Sequence, residues 1–298
     1  MGERVRVGTR GSRLALVQAE EVARGLRAGG VEAELVVVRT AGDANPATPV
    51  ARLGVGAFVR ELEQALRSGR VDVAVHSAKD LPADPPPDLV VAAYLPRGDP
   101  RDALVSRTGA GVEGLPAGAL VGSSSPRRRA YLLRARPDLR VVEMRGNVDT
   151  RLRKVDRGDC DAVVVAAAGL VRLGLAGRIA EVLPPQTMLP APGQGAVAVQ
   201  VRRDDRLRDV VSLLDHLPTR QEVTAEQAFL RTLGAGCRLP VGALARSDGT
   251  TVRLEGGLVD PEGRHDVRGE IEGPDPRALG EELARRLLAR AVAAGRMP

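Results

Sequence analysis

Aromatic side chains are almost missing from this 298-residue chain: they make up 1% of it, without tryptophan, and consist of Phe58, Tyr94, Tyr131 and Phe229. A protein that holds single-stranded nucleic acid needs stacking platforms, and this one has few to offer. Lysine is scarce too. Of 44 basic residues only Lys79 and Lys154 are lysines, so the net charge of +6 and the pI near 10.2 are carried by arginine. Those arginines are spread along the chain and interleaved with acids, which favours small anions over nucleic acid as partners. No run of eighteen apolar residues occurs, and the start M-G-E-R-V-R-V-G-T-R lacks the apolar stretch of a secretory signal. A soluble, cytoplasmic protein without membrane contact is therefore expected. In such a compartment the two cysteines, Cys160 and Cys237, are expected as separate thiols rather than a disulfide.

What is present is enough apolar material, 43% of residues, to fill two or three cores at this length. Short Val/Ala/Leu runs alternate with amphipathic stretches, the pattern of α/β domains with parallel sheets. The run V-A-V-H-S-A-K-D-L-P, residues 73–82, organises the rest. Its apolar start reads as a buried strand that ends near His76, leaving Lys79 and Asp80 at the carboxyl end, where ligands of open α/β sheets sit. One of the two lysines thus stands beside an acid, although arginine does not replace a compact ammonium whose pKa can move.

Arginines recur at equivalent places. Val5 and Val7 open a strand that leads to G-T-R-G-S, with Ser12 as N-cap of a helix running to about Arg27, so Arg10 and Ser12 occupy a strand end and helix start suited to anions. Residues 35–38 read as a strand, 40–56 as a long loop of lid character, 58–66 as a helix, and 89–93 as a strand. After a boundary at 96–100, the strand at 120–121 leads to G-S-S-S-P-R-R-R-A, where the serines and Pro126 mark a helix start. Arg127, Arg128 and Arg129 fall in its first turn, where the helix dipole disfavours positive charge; a bound anion explains them. The strand at 140–143 runs into M-R-G-N-V-D-T-R-L with Arg145 and Arg151, and that at 162–165 into A-A-A-G-L-V-R-L-G. Arg10, Arg127, Arg128, Arg145 and Arg151 are expected to converge on one crevice.

A second hinge-like stretch, 183–195, precedes a strand at 196–201 that returns to the first domain, giving two crossings of the kind that permit closure on a ligand. The domains expected are 1–97 with 196–215, then 101–191, and a small α+β domain over 217–298. That last domain has a helix at 224–233, strands at 252–258 and 266–271, and a helix at 277–294. Cys237 lies between Gly236 and Arg238, a backbone that permits close approach beside a charge that favours thiolate. Cys160, between two acids, reads as structural.

Taken in order, G-T-R-G-S-x-L-A-L-x-Q-A, V-H-S-A-K-D-L-P, D-P-R-D-A-L-V-S, G-S-S-S-P-R-R, R-G-N-V-D-T-R-L, A-A-A-G-L-x-R-L-G, L-P-A-P-G-Q-G-A and G-C-R-L-P-V-G resemble the porphobilinogen deaminase family, also called hydroxymethylbilane synthases, over nearly the whole chain. The resemblance implies two domains built like periplasmic binding proteins with a hinged cleft, and a third carrying the cysteine. It implies a dipyrromethane cofactor attached to Cys237 through a thioether. Four porphobilinogens are then joined head to tail with loss of ammonia, and water releases hydroxymethylbilane. It also implies a catalytic role for Asp80, whose carboxylate stabilises the electron-poor ring left when ammonia departs, with the catalytic neighbour Lys79 assisting in binding the substrate's carboxylates. Arg127, Arg128, Arg145, Ser123, Ser125 and Ser77 would hold the cofactor. Arg10, Ser12, Arg151, Arg172, Gln194, Phe58 and Asp43 would serve the substrate, arginine forks pairing with its acetate and propionate groups. No metal is implied; the chain is expected as a monomer whose product passes to uroporphyrinogen III synthase. The lid departs from the family pattern K-x-G-G-K-G-x-F: here it reads R-L-G-V-G-A-F, one residue shorter, with Arg52 for the first lysine and no counterpart of the second. The rival readings are a two-domain anion-binding protein without chemistry and, more distantly, a nucleic-acid binder.

Overall fold

Each strand expected from a short Val/Ala/Leu run lies in a sheet of the computed structural model, which describes residues 4–39, 59–234 and 240–295. The first sheet contains β1 (Val5–Thr9), β2 (Ala33–Val37), β3 (Val73–Ser77), β4 (Leu89–Tyr94) and β10 (Val197–Arg202), in the order β2-β1-β3-β10-β4. The second contains β5 (Asp102–Ser106), β6 (Leu120–Gly122), β7 (Arg140–Val142), β8 (Ala162–Ala166) and β9 (Glu181–Val182), in the order β7-β6-β8-β5-β9. The two orders are one topology: three parallel strands, then an antiparallel strand, then an edge. The third sheet is an antiparallel meander of β11 (Val241–Ser247), β12 (Val252–Val259) and β13 (Asp266–Gly273).

The described chain divides into two compact units, Met1–Gly98 with Ala196–Arg220 and Asp99–Gly195 with Gln221–Pro298. The antiparallel strand of each five-stranded sheet follows a crossing directly, β5 after Gly98 and β10 after Gly195. β5, β9 and β11 are absent from the reading of the sequence, because D-A-L-V-S and V-G-A-L-A-R-S are short runs beside proline-rich stretches that read as hinge or loop.

Helix boundaries follow local chemistry. In α1 (Arg13–Ala28) the Ser12 hydroxyl accepts from Ala15 N at 3.3 Å, and Gly30, at φ 82°, takes the left-handed conformation that ends it. α2 (Arg60–Arg67) covers the described part of the helix expected at 58–66. α3 (Pro126–Ala135) starts at proline with Ser125 as cap, and α4 (Val148–Asp156) with Asn147, whose side-chain oxygen accepts from Thr150 N at 3.0 Å. Then come α5 (Ala167–Arg172), α6 (Leu207–Ser212), α7 (Leu217–Leu233) and α8 (Pro276–Ala293). α7 begins earlier than the expected residue 224, because the His216 ring nitrogen Nδ1 accepts from Thr219 N at 3.3 Å and caps the first turn. Among the described residues no helix is long and apolar enough to cross a membrane.

Alternation within strands sorts the cores. On one face of the first sheet Val7, Val73, Val75, Val197 and Val199 pack on Val22 and Leu26 of α1; on the other Ala74 meets Leu62 and Leu66 of α2. In the second sheet Leu104, Val121 and Val164 face Tyr131 and Leu132 of α3, while Val105, Val163 and Val165 face Leu152, Val155 and Leu170. Each fully buried side chain of this kind contributes roughly 1.5–3 kcal/mol. Phe229 of α7, Leu254, Leu258, Leu283 and Leu287 form the third core.

There α8 crosses α7 at Gly280, where a methyl group would run into the Ala225 carbonyl and lie 2.7 Å from Ala228 Cβ. Gly280→Ala should therefore destabilise the protein by about 2–3 kcal/mol, read as a lower denaturant midpoint at unchanged slope.

Candidate active site

In the first unit β1 and β3 are parallel neighbours, Val7 opposite Val73 and Gly8 opposite Ala74, so their carboxyl ends emerge side by side. β1 delivers Arg10 and Ser12. Buried Thr9 anchors that loop by donating its hydroxyl to Ala15 O at 3.0 Å. β3 delivers a single 3-10 turn, Ala78–Asp80, pinned by buried Ala78, whose N–H donates to Ala196 O at 3.0 Å. Lys79 and Asp80 are exposed on it, and the Asp80 carboxylate has no partner among the described residues. Ser77 exchanges hydrogen bonds with Gln18 of α1, at 3.1 and 3.2 Å.

Behind this edge runs a buried polar chain that the sequence reading does not contain. His76 Nε2 lies 3.1 Å from Gln200 Oε1, and Gln200 Nε2 donates to Glu63 Oε1 at 3.3 Å. The Gln200 amide orientation implies the Nε2–H tautomer for His76. Burial, with a contribution from the Arg10 charge, pushes His76 down to about 4 and so keeps it neutral. An unfolded histidine protonates near pH 6.5, so the unfolded chain binds the proton first as pH falls. The contribution of His76 to stability should decline from pH 6.5 to 4 by up to about 3 kcal/mol, and this contribution levels off below, where the carboxylates take over. The slope of thermal midpoint against pH in that window should shrink in His76→Asn.

The second unit repeats the arrangement. Parallel β6, β7 and β8 send the chain into 123–126, 144–147 and 167, and antiparallel β5 begins at the same edge, Asp102 opposite Ala166. Ser123 accepts from Ser125 N at 3.2 Å, and Ser125 from Arg128 N at 3.4 Å, so both serines shape the start of α3. Arg127 and Arg128 are buried rather than displayed, 6% and 7% exposed. Arg127 Nη1 donates to Asp102 Oδ2 at 2.8 Å and to Leu189 O at 2.6 Å. Arg128 Nε donates to Asp102 Oδ1 at 2.9 Å, and its Nη1 to Val164 O at 2.9 Å. Burial of Asp102 would raise its pKa, but the charges of Arg127 and Arg128 and the hydrogen bonds of Arg127 and Gln194 outweigh this and hold it well below the usual carboxylate range.

One carboxylate does not neutralise the cluster. Arg151, which donates Nε to Gly146 O at 2.8 Å, is pushed down to about 10 by burial and by the charges of Arg128 and Arg145. Arg145 has a buried Nη1 without a hydrogen-bond partner among the described residues. Arg172, at the end of α5, donates Nη1 to Gly195 O at 3.0 Å, and Gln194 donates Nε2 to Pro100 O at 2.8 Å and Asp102 Oδ1 at 3.1 Å. Like charges gathered with an orphaned donor attract anions, and more strongly those of more than one negative charge.

Comparison with known proteins names the family. Residues 5–209 match the family model described as porphobilinogen deaminase, dipyrromethane cofactor binding domain, and residues 220–289 the one described as porphobilinogen deaminase, C-terminal domain. A porphobilinogen deaminase from Rubrobacter xylanophilus is 52% identical over 295 residues, covering 98% of this chain and 96% of that protein. One from a Roseiflexus species is 47% identical over 298 residues, covering 97% and 98%. This chain belongs to the porphobilinogen deaminase family. A periplasmic substrate-binding protein of an ABC transporter from Coxiella burnetii matches with a TM-score of 0.44 at 20% identity, covering 70% of this chain and 91% of that one.

Membership of the porphobilinogen deaminase family makes the chain a transferase of tetrapyrrole biosynthesis with a dipyrromethane cofactor, and sets aside the non-enzymatic anion-binding reading. The residues present fit that cofactor. Its pyrrole rings carry acetate and propionate groups, which suit the orphaned Arg145 donor and the mutually repelling Arg128 and Arg151.

Of the expected site residues, the structure gathers Arg10, Ser12, Ser77, Lys79 and Asp80 at one edge of the first unit. It places Ser123, Ser125, Arg127, Arg128, Arg145, Arg151, Arg172 and Gln194 in the second. Asp43, Phe58 and Cys237 lie outside the described residues. Asp102, Gln18, His76 as a network member, Gln200 and Glu63 are missing from the sequence reading. Asp102, Gln18 and His76 left a signal there only as members of the quoted motifs, and Gln200 and Glu63 left none.

Proposed function

We propose that Asp80 is the catalytic carboxylate with which this chain condenses four porphobilinogens onto a dipyrromethane held by Cys237, and then releases hydroxymethylbilane. The observation that supports the carboxylate-rich substrate most directly is the arginine cluster of the second unit, where Arg151 is depressed by burial and by the charges of Arg128 and Arg145, and a buried Arg145 donor has no hydrogen-bond partner among the described residues. The dipyrromethane, once attached, serves as the primer to which rings are added.

Asp80, exposed on its turn, accepts a hydrogen bond from the pyrrole N–H and stabilises the positive charge that develops on the ring as ammonia departs. Lys79 beside it is a compact cation suited to a substrate carboxylate. Arg10 and Ser12 at the start of α1 serve the same carboxylates on the first unit, and Ser77 serves the cofactor. On the second unit, Arg127, Arg128 and Arg145, with Ser123 and Ser125, hold the primer. Arg151, Arg172 and Gln194 serve the incoming rings, as do Phe58 and Asp43.

The domains of this reading are 1–97 with 196–215, then 101–191 and 217–298. It takes the protein as a cytoplasmic monomer that passes its product to uroporphyrinogen III synthase.

Intact mass followed by a peptide map around Cys237 tests the reading. The expected result is an increment of two porphobilinogens less two ammonias on that cysteine, before or after incubation with porphobilinogen. An unmodified Cys237 after that incubation overturns it.

A further inference from the structure

Two carboxylates of the second unit, Asp102 and Glu226, are wholly buried, and the reaction as described uses neither. Glu226 of α7 accepts from the backbone N–H groups of Gly193 at 2.6 Å and Ala245 at 2.8 Å, which fastens chain segments together. Asp102 differs, because its partners are side chains assigned to ligand carboxylates. Its Oδ2 takes Arg127 Nη1; its Oδ1 takes Arg128 Nε, lies 2.8 Å from Arg128 Nη2, and also takes Gln194 Nε2.

We propose that Asp102 is a positioning residue for pyrrole condensation: it sets the planes of the Arg127 and Arg128 guanidinium groups, so that their remaining N–H groups meet ligand carboxylates in one orientation. The proposal rests on the reading that this arginine pair binds those carboxylates.

A guanidinium offers five N–H donors in a rigid plane, so two edges cannot be aimed independently. In Arg128 the edge formed by Nε and Nη2 is turned onto Asp102, and one N–H of Nη1 is spent on Val164 O. What remains points away from Asp102, from the Nη1 and Nη2 end. In Arg127 the single atom Nη1 spans Asp102 and Leu189 O, which leaves Nε and Nη2 to face elsewhere. The carboxylate is itself held. Gln194 bonds both to it and to Pro100 O, so the chain on either side of β5's start and of the 189–194 stretch shares one anchor. With 0% exposure Asp102 is not displaced by an incoming carboxylate; it stays as the counter-ion against which ligand carboxylates are placed.

Three variants of the full chain separate this role from mere stability. Asp102→Asn keeps the size but removes the charge and turns an amide donor towards guanidinium donors. Asp102→Glu keeps the charge and shifts it by a methylene. Asp99→Asn, at the half-exposed partner of Arg101, serves as control. Thermal midpoint, cofactor retention by intact mass, and KM and kcat per cofactor-bearing chain are measured for each.

In Asp102→Asn the KM for porphobilinogen should rise about tenfold or more while kcat falls less than about threefold, since a misplaced primer and a misplaced Gln194, which shares Asp102 and serves the incoming rings, weaken capture more than the Asp80 chemistry. Asp102→Glu should lie between it and wild type, and Asp99→Asn should match wild type. If Asp102→Asn does not fold, the glutamate variant decides, with a KM raised severalfold expected. Wild-type KM in a folded Asp102→Asn or Asp102→Glu overturns the proposal even if the thermal midpoint falls, and so does an equal rise in Asp99→Asn. Arg127→Gln tests the underlying reading separately. Wild-type KM and cofactor retention there mean that the pair does not bind carboxylates, whereas loss there with wild-type KM in the Asp102 variants sinks the positioning role alone.

Discussion

Asp80→Asn should lower turnover by about two to three orders of magnitude while the purified chain keeps its fold and its attached cofactor. The amide matches the carboxylate in shape but carries no charge, so it loses the attraction for a ring that becomes cationic as ammonia leaves. Little stability should be lost, because Asp80 is exposed on its turn and has no partner among the described residues whose charge would be stranded. Steady-state rate, circular dichroism and intact mass measured on one preparation separate these effects. Turnover at the wild-type level would remove Asp80 from the mechanism.

The second large effect separates the two thiols. Cys237→Ala should carry no attached pyrroles and show no activity. Cys160→Ala should keep both, at a cost of about 1 kcal/mol in stability from the small cavity left. Cys160 is 1% exposed in the core behind β8, among Val155, Val163 and Leu170. Burial, with the nearby acids Asp161 and Asp159, pushes its thiol up, the opposite of what a nucleophile needs. Intact mass of both variants after incubation with porphobilinogen gives the answer, and pyrroles found on the Cys237→Ala protein would reverse the assignment.

The strands at 73–75 and 162–165 were legible because their sides are valine and alanine; the first runs into polar His76 and Ser77, the second into the alanine run that opens the next helix. The starts of α1 and α3 were legible because Ser12, Ser125 and Pro126 are local signals whose hydrogen bonds close within three residues. Asp102 was not legible as a partner of Arg127 and Arg128, because nothing within twenty residues indicates the pairing; β5 must first lie antiparallel to β8. The same holds for His76, Gln200 and Glu63, which are drawn together by β10 entering the sheet beside β3.

The charges of Arg127 and Arg128 in the first turn of a helix call for an anion. The anion they meet first, however, is an aspartate of the same chain.

The sequence alone therefore determined most of the elements, though not β5, β9 and β11, together with the family and the places where charge collects, because these rest on local periodicity, capping and motif order. Tertiary structure alone decided which charges are already answered. Arg127 and Arg128 share Asp102, while Arg145 and Arg151 are left with charge to offer. Pairing across a sheet depends on strand register and burial, and neither can be read from residues that lie far apart along the chain.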